Sequence, residues 1–332
     1  MGYDKGMNLA QLTDASISTQ VVGRFAPTPS GRMHLGNAFS SLMAWLGVRA
    51  AGGRMVLRIE DLDPRAIHRE LSELLMRDLA WLGLDWDEGP YYQSERTDLY
   101  VEALDGLAER GLTYPCFCTR SQLHAASAPH ASDGTYVYQG TCRNLSEDEV
   151  ARRRRERDPA TRLRVPAPSE PMGTIAFDDM VYGHHEEILA RECGDFLVRR
   201  SDGIFAYQLA VTVDDALMGV NQVVRGRDLL GSVARQIYLT ALLGHPAPAY
   251  AHVPLLAAPD GRRLSKRNRD LDLGALRDAG IDPRRIIGRL AHAVGLADEN
   301  EDVSPAELLP RFSWDTIATR KADIVVDVTF LA

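Results

Sequence analysis

The sequence predicts an α/β fold with a doubly wound parallel sheet, interrupted by a segment of different composition. A strand that begins at Val21, a turn rich in proline and glycine, and a helix over 37–49 come first. A second β-rich run over 54–60 follows, and a strand–helix–strand unit of this kind implies a parallel crossover. Residues 114–146 then hold three cysteines and show little helical periodicity.

The turn after the first strand is the most informative part of the sequence. It runs from Arg24 to Asn37 as Arg-Phe-Ala-Pro-Thr-Pro-Ser-Gly-Arg-Met-His-Leu-Gly-Asn. Its prolines and Gly31 interrupt regular structure. Backbone amides and the positive end of a helix dipole meet here, which favours an anion such as phosphate, and His34 supplies a ring donor. The alternative is an ordinary strand–helix turn with an incidental histidine.

The amino-acid composition excludes several classes of protein. The chain has 332 residues, of which 45% are hydrophobic and 25% charged, as in an ordinary globular protein. We expect no membrane span, and we interpret residues 1–20 as a flexible N-terminal extension that is not a signal peptide. The net charge of −8 argues against a strong nonspecific nucleic-acid binder but permits a local basic face. Four cysteines in a chain of this length indicate a reducing compartment, so we expect a cytoplasmic protein.

Glu60 ends the second strand, at the edge where parallel sheets bind ligands, although a solvated loop acid is the alternative. Amphipathic helices are predicted over 69–82 and 97–111, the second entered through Ser94 and ended by Gly111. Further predicted elements are strands over 195–200 and 221–225, a helix over 232–243, and helices that begin at Asp282-Pro283 and at a capping box from Ser304 to Glu307.

The cysteine-rich segment suits a zinc knuckle. Cys116, Cys118 and Cys142 offer thiolates, which bind zinc tetrahedrally and can hold a loop that has no core of its own. The spacing leaves the fourth ligand open, because His124 and His130 lie between the cysteines. Free buried cysteines are the alternative.

A glycine-hinged basic loop, Asp-Gly-Arg-Arg-Leu-Ser-Lys-Arg, begins at Asp260. Cations in such a loop can close over a polyphosphate and neutralise charge that grows in a transition state. By composition alone it is also typical of a generic surface loop.

Two of these segments resemble the signatures of class I aminoacyl-tRNA synthetases of the glutamyl and glutaminyl type. The turn resembles the first signature, the HIGH box, with Asn37 where histidine is frequent. The basic loop resembles the second, KMSKS, with Arg263 in place of its first lysine and Lys266 at the position expected to act on ATP. The resemblance covers about residues 21–270. It implies a Rossmann-type catalytic sheet, an inserted zinc-containing connective domain and a short C-terminal helical stem.

The same resemblance implies roles for individual residues. His34 and Lys266 would be catalytic. Those implied for the glutamate site are Arg24, Phe25, Ala26, Pro27, Thr28, Glu60, Tyr207 and Arg225, and those for the ATP site are His34, Gly36, Asn37 and Lys266. Arg24 would face a substrate carboxylate and Glu60 would hold the α-ammonium. Tyr207 and Arg225 would recognise the side-chain carboxylate, which a guanidinium fork suits; an aromatic in an apolar run and a strand-end charge are the alternatives.

The insert is similar to that of glutamyl-Q tRNA(Asp) synthetases, which end it with Tyr-x-x-x-Cys. This resemblance implies Tyr138 as the fourth ligand of one structural zinc, beside Cys116, Cys118 and Cys142. After Arg267 the remaining chain is too short for the anticodon-reading domain of full glutamyl-tRNA synthetases.

The implied function is ATP-dependent activation of L-glutamate to glutamyl-adenylate, with Mg²⁺ bound to ATP, and transfer to queuosine at the wobble position of tRNA(Asp). We expect a monomer. Alternatives are a truncated glutamyl-tRNA synthetase that charges tRNA(Glu) and a non-catalytic zinc- and RNA-binding synthetase relic. The expected domains are the extension (1–20), the two halves of the catalytic domain (21–112 and 193–270), the inserted connective domain (113–192) and the stem (271–332).

Overall fold

The computed structural model describes residues 20–63, 69–123, 137–261, 272–326 and 330. Of the predicted features, all of the N-terminal extension except Gln20 lies outside these ranges, as do His124, His130, Arg263 and Lys266. The described strands are β1 (Val22–Phe25), β2 (Arg54–Ile59), β3 (Glu88–Tyr92), β4 (Thr113–Cys116), β5 (Ala160–Leu163), β6 (Thr174–Asp179), β7 (Gly183–Ile188), β8 (Phe196–Arg199), β9 (Gln222–Gly226), β10 (Ala249–Val253), β11 (Leu256–Ala257) and β12 (Ile324–Val325).

The described α-helices are α1 (Leu35–Ala50), α2 (Arg69–Trp81), α3 (Thr97–Glu109), α4 (Arg120–Leu123), α5 (Glu147–Arg154), α6 (Leu189–Glu192), α7 (Tyr207–Leu217), α8 (Val233–Leu242), α9 (Leu273–Asp278), α10 (Pro283–Ala293), α11 (Pro305–Leu308) and α12 (Trp314–Ala318). The predicted helices and strands that can be compared begin and end within two residues of these bounds.

Two sets of strands form the centre of the fold. In the first, β1 pairs with β2 and β2 with β3, all parallel. In the second, β9, β10 and β6 are parallel and β7 runs antiparallel at the edge. The sets meet where Asn221 donates its amide to the Val22 carbonyl at 3.0 Å. The strand order changes direction between β1 and β9, which is where a doubly wound sheet opens a ligand crevice. The predicted α/β class is therefore confirmed.

Local chemistry accounts for most helix ends. The predicted capping box at Ser304 and the helix that begins at Pro283 are confirmed. The predicted entry of α3 through Ser94 is wrong, because Arg96 is the N-cap and makes no side-chain cap bond. The Ser94 hydroxyl instead donates to Asp61 at 2.7 Å, a contact that the sequence pattern does not reveal.

Cys116 ends β4, which is part of a small antiparallel sheet in which β4 pairs with β5 and β5 with β8. The hairpin of β6 and β7 instead joins the main sheet through β10. β8, from the expected second half of the catalytic domain, pairs with β5 of the expected insert, whereas β6 and β7 of the expected insert join the main sheet. Strand pairing therefore links the two expected domains that meet between residues 192 and 193. The division into domains stays a prediction.

The helices after the second signature pack on the catalytic core. Ile286, Ile287 and Leu290 of α10 are fully buried in the same apolar cluster as Leu42 of α1. Trp314 at the start of α12 packs over Gly47, where an added Cβ would lie only 2.5 Å from the indole ring. In the part of the chain that the structure describes, we find no helix with the length and apolar character needed to cross a membrane.

Candidate active site

A cavity of about 640 Å³ opens at the crevice between β1 and β9. The residues predicted for the site that line it are Arg24, Phe25, Ala26, Pro27, Thr28, His34, Gly36, Asn37, Glu60, Tyr207 and Arg225. Residues from four separate segments therefore share one cavity. Lys266 lies outside the described residues, so the structure does not locate it relative to the cavity.

The turn before α1 is built around the His34 ring. Its Nδ1 accepts the Gly36 amide at 3.1 Å, and Asn37 Oδ1 accepts the His34 amide at 3.3 Å, which together form a capping box. A neutral ring whose Nδ1 is an acceptor carries its proton on Nε2, so it can act as a donor. An added Cβ on Gly36 would lie 2.9 Å from His34 Cε1, so a glycine leaves room for the ring. The helix N-terminus adds a positive partial charge at the same point.

A buried network of charges lies beneath the cavity. Arg58 is fully buried and donates to Asp215 at 2.7 Å and to Glu60 at 3.2 Å. Arg24 donates to the Val224 carbonyl at 3.1 Å across the crevice, and its Nε lies 3.5 Å from Asp215. Cations and carboxylates thus alternate through the network, which is the arrangement that makes buried charge tolerable.

The network perturbs its carboxyl groups in opposite directions. Burial raises the pKa of Glu60 above its ordinary value, although the nearby Arg58 and Arg24 oppose this. Burial also acts to raise the pKa of Asp215, but Arg58 and Arg24 outweigh it and hold that pKa below its usual range. For Asp215 the two arginines therefore outweigh burial, whereas for Glu60 burial outweighs them. An incoming ammonium group would add positive charge beside Glu60.

Asp214 is a further member of this buried network of charges. It has no exposed surface and accepts hydrogen bonds from Gln93 at 2.9 Å, Arg96 at 2.7 Å and Tyr100 at 2.7 Å. Arg58 Nε lies 3.6 Å from the same carboxylate. Sequence reasoning assigned no role to Arg58 or to either aspartate of α7. The available signal was a single arginine inside the apolar run of β2.

Arg225 is held on several sides at the opposite wall of the cavity. It is 6% exposed, and its Nε donates to His252 Nε2 at 3.0 Å. Its Nη1 donates to Gln236 at 2.9 Å and to the Tyr207 oxygen at 3.3 Å, and its Nη2 donates to the Leu229 carbonyl at 3.1 Å. A guanidinium held in this way offers a fixed, preoriented cation.

His252 lies behind Arg225 and was missed by sequence reasoning. Its Nδ1 lies 2.6 Å from Asp179 Oδ2, and both side chains are fully buried. Burial lowers the pKa of His252 to about 4, and the charge of Arg225 adds to this while Asp179 opposes it. The ring is therefore neutral near pH 7. Because β6 and β10 are adjacent parallel strands, residues far apart in sequence meet at one edge of the sheet.

The three cysteines form a separate cluster in the small sheet. Their Sγ atoms all lie within 4.8 Å of one another, and Cys118 and Cys142 are 3.6 Å apart. The Tyr138 oxygen lies 3.6 Å from Cys116 Sγ and 3.7 Å from Cys118 Sγ. Around a tetrahedral zinc, sulfur–sulfur and sulfur–oxygen separations are about 3.8 and 3.5 Å. The residues therefore fit a metal ion of this geometry.

Hydrogen-bond donors surround the cysteine cluster. Phe117 donates its amide to Cys142 Sγ at 3.4 Å, and Arg162 donates to Cys116 Sγ at 3.3 Å. Burial acts to raise the pKa of Cys116, but Arg162 and the Cys118 amide outweigh it and bring that pKa below its ordinary value. Burial raises the pKa of Cys118 to about 11, and the neighbouring Cys116 and Cys142 add to this while the Tyr138 hydrogen bond opposes it. Donors that stabilise thiolate charge are typical of the surroundings of a metal site.

Comparison with known proteins shows the family of the chain. Residues 20–321 match the family described as tRNA synthetases class I (E and Q), catalytic domain, so this chain has a class I synthetase catalytic domain. A Glutamyl-Q tRNA(Asp) synthetase from Symbiobacterium thermophilum is 52% identical over 302 residues, which cover 87% of this chain and 91% of that protein. A protein of the same name from Nitratidesulfovibrio vulgaris is 47% identical over 92% of this chain and 96% of its own length. The chain belongs to the glutamyl-Q tRNA(Asp) synthetase family.

Among solved structures, the Glutamate-tRNA Synthetase from Elizabethkingia anophelis superposes with a TM-score of 0.78 at 26% identity. The match covers 94% of this chain and 69% of the Elizabethkingia anophelis chain. This likeness confirms the predicted class I architecture.

Proposed function

We propose that this protein is a ligase that activates L-glutamate with ATP and transfers it to queuosine at the wobble position of tRNA(Asp). The observation that carries the proposal is the cavity between β1 and β9. Its lining brings together the turn before α1, Arg225 on the opposite wall, and Glu60. The names of relatives at 47% and 52% identity support the choice of tRNA.

Each end of a glutamate molecule has a partner in this cavity. Arg225 and Tyr207 would bind the side-chain carboxylate, since both present donors held by other contacts. Glu60 would bind the α-ammonium, whose positive charge would oppose the effect of burial that raises the Glu60 pKa. Arg24 would face the α-carboxylate with a guanidinium fixed to Val224 and Asp215. These contacts orient the carboxylate oxygen that attacks the α-phosphorus of ATP.

The signature turn would hold the phosphates. His34 would donate from Nε2, and the amide end of α1 beside Gly36 and Asn37 would add positive potential. Lys266 would neutralise charge that develops on pyrophosphate as it departs. Mg²⁺ bound with ATP would supply further neutralisation of phosphate charge. Little covalent work falls to the protein, so rate depends on positioning and electrostatics.

The cysteine cluster would hold one structural zinc through Cys116, Cys118, Cys142 and the phenolate of Tyr138. Three thiolates and one oxygen fill a tetrahedral site, as expected of a structural rather than a catalytic zinc. Burial raises the pKa of Tyr138, and the Cys142 amide, which donates to the Tyr138 oxygen at 2.7 Å, only partly opposes this, so the zinc ion itself would have to displace the phenol proton. The bound ion would keep the small sheet in shape. We retain a cytoplasmic location and a monomeric state as predictions.

The test separates glutamate activation from the choice of acceptor. The purified protein is first assayed for glutamate-dependent exchange of pyrophosphate into ATP. Transfer of labelled glutamate is then measured to tRNA(Asp) with queuosine, to tRNA(Asp) without it, and to tRNA(Glu). Exchange together with transfer only to the queuosine-containing tRNA is expected. Transfer to tRNA(Glu) would favour a truncated glutamyl-tRNA synthetase, and the absence of exchange would favour a non-catalytic relic.

A further inference from the structure

Asp179, His252 and Arg225 form a line of hydrogen bonds across three neighbouring parallel strands. Arg225 and His252 are register partners on β9 and β10, and Asp179 ends β6 on the other side of β10. The three residues are 6%, 0% and 3% exposed, in the order Arg225, His252, Asp179. One end of the line is the wall of the substrate cavity, and the other is sealed in the sheet.

Asp179 fixes the orientation and the tautomer of the His252 ring. Its Oδ1 accepts the amides of Val181 at 3.0 Å and Tyr182 at 2.9 Å, and its Oδ2 accepts the His252 amide at 3.0 Å. The same Oδ2 lies 2.6 Å from His252 Nδ1. Because an ionised carboxylate only accepts hydrogen bonds, Nδ1 carries the ring proton. Nε2 therefore presents a lone pair to Arg225.

The contacts of Arg225 determine what remains for a ligand. Among the described residues, His252, Gln236, Tyr207 and Leu229 accept hydrogen bonds from four of its five N–H groups. One Nη2–H is left for the cavity. The Tyr207 oxygen accepts from Arg225, so its own hydroxyl proton is available for a second bond to the ligand. The wall thus offers two donors side by side.

We propose that His252 and Asp179 are positioning residues that set the preference for glutamate over glutamine. They hold Arg225 so that its remaining N–H and the Tyr207 hydroxyl converge on the end of the substrate side chain. A carboxylate offers one oxygen to each donor, whereas a carboxamide has a single oxygen, which it must share between the two donors or else turn its N–H group toward one of them. This inference rests on the proposed function, since it concerns which amino acid that function activates.

Two substitutions of His252 separate positioning from simple packing. His252→Asn keeps a donor near the Nδ1 position for Asp179 and removes the acceptor for Arg225. His252→Gln reaches further and returns an acceptor near the Nε2 position. The matched control is His184→Asn, because His184 forms the same kind of pair with Asp178, at 2.9 Å, on an exposed surface.

The assay is pyrophosphate exchange with KM and kcat determined for glutamate, glutamine and ATP. For His252→Asn we expect the KM for glutamate to rise about tenfold to a hundredfold, as for a buried donor left without its acceptor. The KM for ATP should stay within about twofold, since the phosphate-binding turn is untouched. The ratio of kcat/KM for glutamate to that for glutamine should fall, and His252→Gln should restore most of it. His184→Asn should match the wild type throughout.

A second variant tests the same inference if His252→Asn does not fold. Thermal unfolding is recorded for every protein, and if His252→Asn is unfolded the comparison uses Asp179→Asn. An asparagine amide at that position would donate to Nδ1, move the ring proton to Nε2 and set it against Arg225, so the same loss is expected. A folded variant with unchanged glutamate KM and unchanged discrimination would overturn the inference. An equal fall in kcat for all substrates, with a lower melting temperature, would also overturn it. Absence of glutamate-dependent exchange in the wild type would instead reject the proposed function itself.

Discussion

Replacing Tyr138 by phenylalanine is the sharpest test of the proposed zinc site. The substitution removes one oxygen and keeps a ring that is buried and lies 3.7 Å from the guanidinium carbon of Arg162. The packing of the small sheet should therefore survive. A tetrahedral zinc would lose one of its four ligands, and the three thiolates would remain.

The expected loss of affinity follows from the position of that oxygen. It lies within 3.7 Å of the sulfur atoms of Cys116 and Cys118, where it would fill the fourth corner of the proposed site. It also accepts the Cys142 amide at 2.7 Å, and a buried amide without an acceptor costs about 1–3 kcal/mol of stability with or without zinc. The missing ligand by itself should lower zinc affinity by at least about tenfold to a hundredfold.

The pH dependence has a defined sign. Burial raises the pKa of Cys118 to about 11, so the metal-free site holds protons near pH 7 that zinc must displace. Zinc binding therefore releases protons, and zinc retention falls as the pH decreases. The Tyr138→Phe protein, which starts from weaker affinity, should release zinc at a higher pH than the wild type.

The assay is zinc content by elemental analysis after dialysis against a series of chelator concentrations. Tyr114→Phe is the matched control, because it deletes a buried hydroxyl of the same sheet that bonds Asp195 at 2.5 Å. The control should retain zinc like the wild type, and glutamate activation should be largely kept in both variants while Tyr138→Phe impairs transfer to tRNA. Equal retention by all three proteins would show that Tyr138 is not a ligand. Less than about a tenth of an equivalent in freshly purified wild type would remove the site altogether.

Three further predictions concern the active site. Arg225→Ala should weaken glutamate binding by about 2–5 kcal/mol, because a buried carboxylate loses its cation; an unchanged KM for glutamate would contradict this. Lys266→Ala should lower the rate of adenylate formation far more than it weakens glutamate binding, and a lost affinity with intact turnover would refute that role. Arg58→Met should cost about 3–5 kcal/mol of unfolding free energy, because Asp215 and its neighbours stay buried without their cation. Urea unfolding measures this, with Arg49→Met, on a partly exposed ion pair, expected to cost about 1 kcal/mol or less; equal losses would contradict the argument.

Much of the active site was predictable because its chemistry is encoded locally. The turn from Arg24 to Asn37 combines helix-breaking residues with a ring donor, and this pattern predicts an anion site without knowledge of the fold. Asn37 caps the helix by accepting the backbone amide of His34, which is only three residues away in the sequence. The cysteine spacing predicted a metal cluster for a similar reason, since thiolates have few other uses in such a pattern.

The spacing of the cysteines in the sequence did not identify the fourth metal ligand. Spacing alone left histidine candidates open, and only the resemblance implied Tyr138. The structure brings the Tyr138 oxygen to the cysteine sulfur atoms, because Gly140, at φ +78°, lets the chain turn back between Tyr138 and Cys142. A left-handed backbone position of this kind favours glycine.

Tertiary structure alone decided which charges support the site. Arg58 and Asp215 are 157 residues apart in sequence, and Asp179 and His252 are 73 apart, yet each pair is joined by a buried hydrogen bond. The predicted capping role of Ser94 was also wrong because of a distant partner, Asp61, which lies 33 residues earlier in the sequence. Asp179 and His252 meet because strands β6 and β10 are neighbours in the sheet, and Asp215 reaches Arg58 of β2 from helix α7. The sequence, together with its family resemblance, predicted the residues that line the cavity, and the fold determined the buried partners that hold them in place.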